Sequence, residues 1–148
     1  VLSSIASTAA QAGQYSASAQ QRMYGVGWIP VLDTTGVPQS AAAKRCLAIA
    51  RSQGQIINNQ SDYVFLLQVC DLFGVFDAAL IAARGGSDAA SFAAGLTSAM
   101  TTFESANVLG GRLRLSSKAH DGPGVFAPFG YLSSCTCFRY ARKPSALA

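Results

Sequence analysis

The sequence predicts an α/β chain, and three observations carry that prediction. The last third, Val108 to Tyr140, reads as strand, turn, strand. A long segment from Ser61 to about Arg84 is apolar around most of a helical circumference. Two further stretches, Ala41 to Gln53 and Asp88 to Met100, each follow a capping residue and keep helical spacing. The expected order is strand, strand, helix, helix, helix, strand, strand.

Val1 to Ile5 reads as a short buried strand, and Ala6 to Gln21 as a weakly helical Ala/Gln/Ser segment. The start has no charged region ahead of an apolar one, so it is not a signal peptide and reads as the middle of a fold. Tyr24 to Val31 is a second strand. Gly25 and Gly27 allow close backbone approach there, and Pro30 ends it. Ser40 caps the first helix and Gly54 stops it. Ser61 caps the long helix, Asp62 stands in its first turn, and Gly85-Gly86 ends it. With apolar residues nearly all round, this helix is expected to be buried, and Gly74 within it suggests a close crossing. Ser87 caps the next helix, where Phe92, Leu96 and Met100 recur every fourth residue. The closing segment alternates Arg112 and Arg114 with Leu113 and Leu115. It then turns through Lys118 to Gly124 and ends in an aromatic strand, Val125 to Leu132.

At 148 residues, half of them apolar, the chain has one domain's length and enough apolar surface for a core. The net charge of +4 comes from scattered basic residues with no run longer than two. A nucleic-acid binder would cluster them beside stacking aromatics, so that class is set aside. No apolar run approaches the ~18 residues of a membrane span.

Cys46, Cys70, Cys135 and Cys137 allow three pairings if all are oxidised. A Cys46–Cys70 bond would tie two consecutive helices and add about 3 kcal/mol. Cys135 and Cys137 share one side of any regular strand, so joining them needs a bend at Thr136. Four idle thiols in a cytosolic protein is the other reading, and the residues alone leave both open. His120 is the sole histidine. A thiol–histidine pair with Cys135 or Cys137, or a metal bound by the three, can be drawn. But His120-Asp121-Gly122-Pro123 is foremost a turn sequence, and the metal set is one ligand short of a closed zinc site. No metal or cofactor is expected, and no catalytic residue is assigned.

The segments SDYVFLLQVCDLFGVFDAALIAAR, DAASFAAGL and VLGGRLRLSSKAHDGPGVFAPFGYL, in this order, resemble the C-terminal part of type I periplasmic binding proteins. These are the extracellular receptors of branched-chain amino acid ABC transporters. KRCLAIAR, the Cys70-Asp71 pair and CTCFRY are similar to actinobacterial members. The resemblance implies a partial two-lobed fold. Residues 1–38 would supply second-lobe strands and a crossover, 39–107 first-lobe helices, and 108–148 closing strands and tail. It implies an amino acid or small carboxylate as ligand, a membrane permease as partner, and a bacterial extracytoplasmic location with disulfides among the four cysteines. Carried over by position, Ser3, Ser4, Ser7 and Trp28 would line the ligand site from one lobe, and Asp62 and Tyr63 from the other. Such a chain carries parts of both lobes and all of neither. It is expected to be a fragment, or to assemble so that copies cover one another's exposed core faces.

Overall fold

A computed structural model describes residues 15–31, 37–115, 120–135, 137–141 and 145–146. In chain order it contains α1 (Ala17–Gln20), β1 (Tyr24–Gly27), α2 (Ala41–Ser52), α3 (Gln60–Ala82) and α4 (Ala89–Met100). A single 3₁₀ turn (Leu109–Gly111) follows. Then come β2 (Leu113–Leu115), β3 (His120–Pro123), β4 (Val125–Leu132), β5 (Cys137–Tyr140) and β6 (Ser145–Ala146). The mixture of helix and sheet is as predicted. Every strand pair among the described residues is antiparallel. The expected strand at Val1 to Ile5 lies outside the described residues.

Local chemistry sets the helix ends. Ser40 accepts the Ala43 N–H at 3.0 Å and caps α2, and Gly54 follows that helix with φ of 76°. The cap of α3 is Asn59, not Ser61. Its Oδ1 accepts the Asp62 N–H at 2.9 Å while its Nδ2 donates to the Asp62 carboxylate at 2.6 Å. This reciprocal pair satisfies more polar groups than a serine hydroxyl could, so the helix starts earlier. Asp88 likewise replaces Ser87 as the cap of α4. Its carboxylate takes both the N–H and the hydroxyl of Ser91 at 2.8 Å. These bonds, the Ser91 N–H first, hold the Asp88 carboxyl below its usual range.

β4 is the centre of the larger sheet. It pairs with β1 (Tyr24 opposite Gly130, Gly27 opposite Ala127) and with β5 (Phe129 opposite Tyr140, Leu132 opposite Cys137), and its start pairs with β6. Val125, Ala127 and Phe129 alternate onto the buried face. The Phe129 ring meets Phe138 and Tyr140 edge-on at 6.1 and 6.3 Å. β1 stops at Gly27, short of the expected Val31, because the Trp28 carbonyl turns away to accept the Leu109 N–H at 2.8 Å. The His-Asp-Gly-Pro stretch, expected as a turn, is strand β3, and it pairs with β2 in a two-stranded ladder. An irregularity in that ladder and a Gly122 φ of 62° absorb the turn-forming residues.

Two apolar clusters result. The strand side gathers Met23, Val31, Val108, Leu109, Phe129 and Phe138 among others. The helical side gathers Ala43, Cys46, Leu47, Tyr63, Leu67 and Ala106. The Sγ atoms of Cys46 and Cys70 lie at bonding distance, with Cα atoms 6.0 Å apart, and tie α2 to α3. Cys135 and Cys137 are also at bonding distance, with Cα atoms 5.1 Å apart, where a turn over residues 133–135 interrupts the strand.

The expectation of a buried long helix is corrected. On α3, Phe65, Leu72 and Phe73 are each about two-thirds exposed, and Phe76, Leu80 and Ile81 are exposed as well. Among the described residues α2, α4, the 103–107 segment and, at the first turn, Pro30 and Gln39 lie against it, and these do not enclose a helix that is apolar on every side. By length and composition alone α3 could also cross a membrane, which corrects the expectation that no apolar stretch is long enough; Asp71 and Asp77 stand within it. The helix–helix crossing sits at Gly95 of α4, where a Cβ would strike the Ala79 carbonyl and Ala83 of α3. Gly74 also has a close neighbour, but it is the Phe103 ring, 3.2 Å from where its Cβ would stand.

Candidate functional site

Two stretches lie between the helical and the strand clusters, residues 28–31 with 37–40, and residues 103–112. The two passages are locked by hydrogen bonds of mixed origin. Trp28 O accepts from Leu109 N, and the Tyr140 hydroxyl donates to Ile29 O at 2.6 Å. Gln60 Nε2 donates to Pro30 O at 3.0 Å, and the Ser40 hydroxyl donates to Ser105 O at 3.0 Å. Ser40 therefore both caps α2 and holds the second passage.

Asp71 anchors that passage from the middle of α3. Its carboxylate accepts the Ala106 N–H at 2.6 Å, the Asn107 N–H at 3.1 Å and the Ser105 hydroxyl. Glu104 adds a bond from the Ala41 N–H at 2.8 Å and an ion pair with Arg45 at 3.3 Å. None of these residues was singled out as functional from sequence. An acid inside an otherwise apolar helix is the signal that points to Asp71, since a carboxylate there needs partners.

Of the site residues expected from sequence, Trp28, Asp62 and Tyr63 lie among the described residues. Ser3, Ser4 and Ser7 lie outside the described residues. Trp28 is 39% exposed just beyond β1. The Gln60–Pro30 bond brings the start of α3, with the exposed Asp62, to the segment right after Trp28. Tyr63 is fully buried, and its hydroxyl accepts from Gln39 Nε2 at 3.1 Å. Burial raises the Tyr63 phenol above its ordinary range, and the Gln39 bond opposes that in part. Tyr63 thus supports the junction from beneath and offers no exposed surface to a ligand. Burial alone pushes Tyr140 well above the usual phenol range.

Between Pro30, Val37, Tyr63, Val108 and Gly110 the junction leaves a void of about 10 Å³. That is space for one water at most, and none for an amino acid. A larger open cleft of about 620 Å³ lies between α2 and α3, lined by Arg45, Ile49, Phe73, Asp77, Phe103 and the Cys46–Cys70 bond. No ligand site was expected there.

The side chain of His120 lies outside the described residues. Its suggested partners Cys135 and Cys137 are bonded to each other, and a disulfide sulfur is neither a thiolate nucleophile nor a thiolate ligand. Among the described residues, no three His, Cys, Asp or Glu side chains gather at one point. Comparison with protein-family models, with curated proteins and with solved structures finds no match for this chain.

Proposed function

We propose that the chain is the C-terminal portion of a solute-binding receptor of the branched-chain amino acid type, with a partial type I periplasmic-binding-protein fold. The observation that carries this reading is the paired passage between a helical and a strand cluster, each with its own core. A two-lobed receptor needs such a hinge region, because ligand capture is lobe closure about a few connecting segments. In this reading residues 39–107 belong to the first lobe, and 1–38 and 108–148 to the second.

The ligand is an amino acid or small carboxylate, held at the exposed side of the junction. Trp28 walls the site and Asp62 takes the ammonium group. The hydroxyls of Ser3, Ser4 and Ser7 take the carboxylate, and Tyr63 braces the first turn of α3. An acid in the first turn of a helix repels a carboxylate and suits a cation. The work is binding and delivery to a membrane permease, without catalysis, metal or cofactor, outside the cytoplasm where disulfides persist.

One observation favours a second reading, a self-associating interaction module with no ligand cleft. The junction void is far too small for a ligand, while α3 presents a wide apolar face. A thermal-shift screen over amino acids and small carboxylates separates the two. A ligand at a hundred times its Kd stabilises by about 2.7 kcal/mol, or roughly 5–10 °C in a chain of this size. No shift across the panel, with a defined oligomer in solution, defeats the receptor reading.

A further inference from the structure

We infer that the exposed face of α3 is a homodimer interface, in which the α3 helices of two copies pack antiparallel about a two-fold axis between Leu72 and Phe73. The inference does not rest on the receptor reading. Phe65, Val69, Leu72 and Phe76 follow at intervals of four, three and four, and Leu80 comes four later. The first four keep the four–three–four spacing of a seam that packs against another helix, and Leu80 extends the same stripe.

The face is also self-complementary. About an axis between Leu72 and Phe73, Phe65 of one copy stands opposite Leu80 of the other, Val69 opposite Phe76, and Leu72 opposite Phe73. Asp62, exposed at one end of the seam, then meets Arg84, exposed at the other end with no side-chain partner among the described residues. The arrangement repeats by symmetry, so the two ends carry two opposite-charge pairs, as an isologous interface requires. The exposed large residues Phe65, Leu72, Phe73, Phe76 and Leu80 amount to roughly 500 Å² per copy, taking a full side-chain burial of about 150–250 Å² as the scale, so about 1,000 Å² in total. Specific interfaces begin near that size.

Other occupants fit less well. Residues 1–14 contain three large apolar side chains (Val1, Leu2 and Ile5), too few for this face. A bilayer would have to accept Asp71 and Asp77 on the helix itself. Through the Cys46–Cys70 bond it would also meet α2, with its exposed Lys44, Arg45 and Arg51.

Sedimentation equilibrium of the whole chain tests the inference. It predicts a closed species of twice the 15.3 kDa single-chain mass. Leu72→Lys places two like charges at the axis and raises the dimer dissociation constant at least roughly 30-fold, the scale of losing a central hot spot. Leu72 is exposed in the single chain, so circular dichroism of the variant stays that of a folded protein. Asp62→Arg and Arg84→Asp each weaken the dimer by roughly 2- to 10-fold, and the double exchange restores it. A single-chain mass up to about 1 mM, open-ended aggregates, transfer of the chain onto phospholipid vesicles, or a double exchange that fails to restore pairing each overturn the inference.

Discussion

Replacing Asp71 with alanine tests how the second passage is held. The carboxylate takes two backbone N–H groups and the Ser105 hydroxyl. The Ala106 N–H belongs to a residue that is almost fully buried, so water replaces the lost acceptor poorly there. Hydrogen bonds to a charged group contribute about 1.5–3 kcal/mol each, though bonds to one acceptor are not additive. The Asn107 N–H also reaches Ser105 Oγ at 3.1 Å and keeps part of its bonding. The expected loss is therefore about 3 kcal/mol, a fall in melting temperature of roughly 6–12 °C. Asp71→Asn keeps one carbonyl oxygen for the Ala106 N–H, but turns an amide NH2 donor toward the Asn107 N–H, so about half the loss is expected. Thermal unfolding by circular dichroism gives the magnitude. Amide exchange at Ala106 and Asn107 gives the location, because those two protons exchange faster in both variants. A drop under about 2 °C for Asp71→Ala, or unchanged exchange at both amides, refutes the anchor.

Three further predictions follow from the packing and the charges. Replacing Cys46 and Cys70 together with alanine removes a 24-residue cross-link and costs about 3 kcal/mol, read from urea unfolding of the variant against the oxidised parent. Gly95→Ala drives a methyl group into the Ala79 carbonyl at the α3–α4 crossing and lowers stability by about 1–3 kcal/mol; an unchanged midpoint contradicts the crossing. Tyr63 and Tyr140 have raised folded-state pKa values, so the stability they carry is complete below the unfolded phenol pKa near 10 and is lost as pH rises through the folded values. In an ultraviolet titration these two tyrosines ionise late, together with unfolding.

The helices were legible because their signals are local. Ser40 before an alanine-rich helix and Gly54 after it are sufficient, and α2 lies where they put it. Caps moved where a better acceptor stood next to the expected one, as Asn59 did ahead of Ser61 and Asp88 behind Ser87. The strand ends were less legible because partners far along the chain decide them. Tyr24 to Val31 looks continuous, but Leu109 takes the Trp28 carbonyl and ends the ladder early. Gly-Pro chemistry at residues 122–123 favours a turn locally, yet pairing with β2 draws it into a strand. At the candidate site, the Gln60–Pro30 bond ties the start of α3 to the segment after Trp28. The burial of Tyr63 was hidden, because an aromatic residue in a first turn can face either way. Asp71 was visible as an acid in an apolar helix, but its partners at residues 105–107 are some 35 positions away.

The proposed ligand site has a reporter within it. Trp28 is the sole tryptophan, half-exposed at the junction of the two clusters. Its fluorescence, followed during titration with leucine, isoleucine, valine and small carboxylates, tests the receptor reading most directly. The account predicts a saturable change with one ligand per chain, lost in Asp62→Ala for amino acids. An emission spectrum that does not move for any compound, at concentrations up to about 1 mM where even weak receptor binding would register, contradicts it.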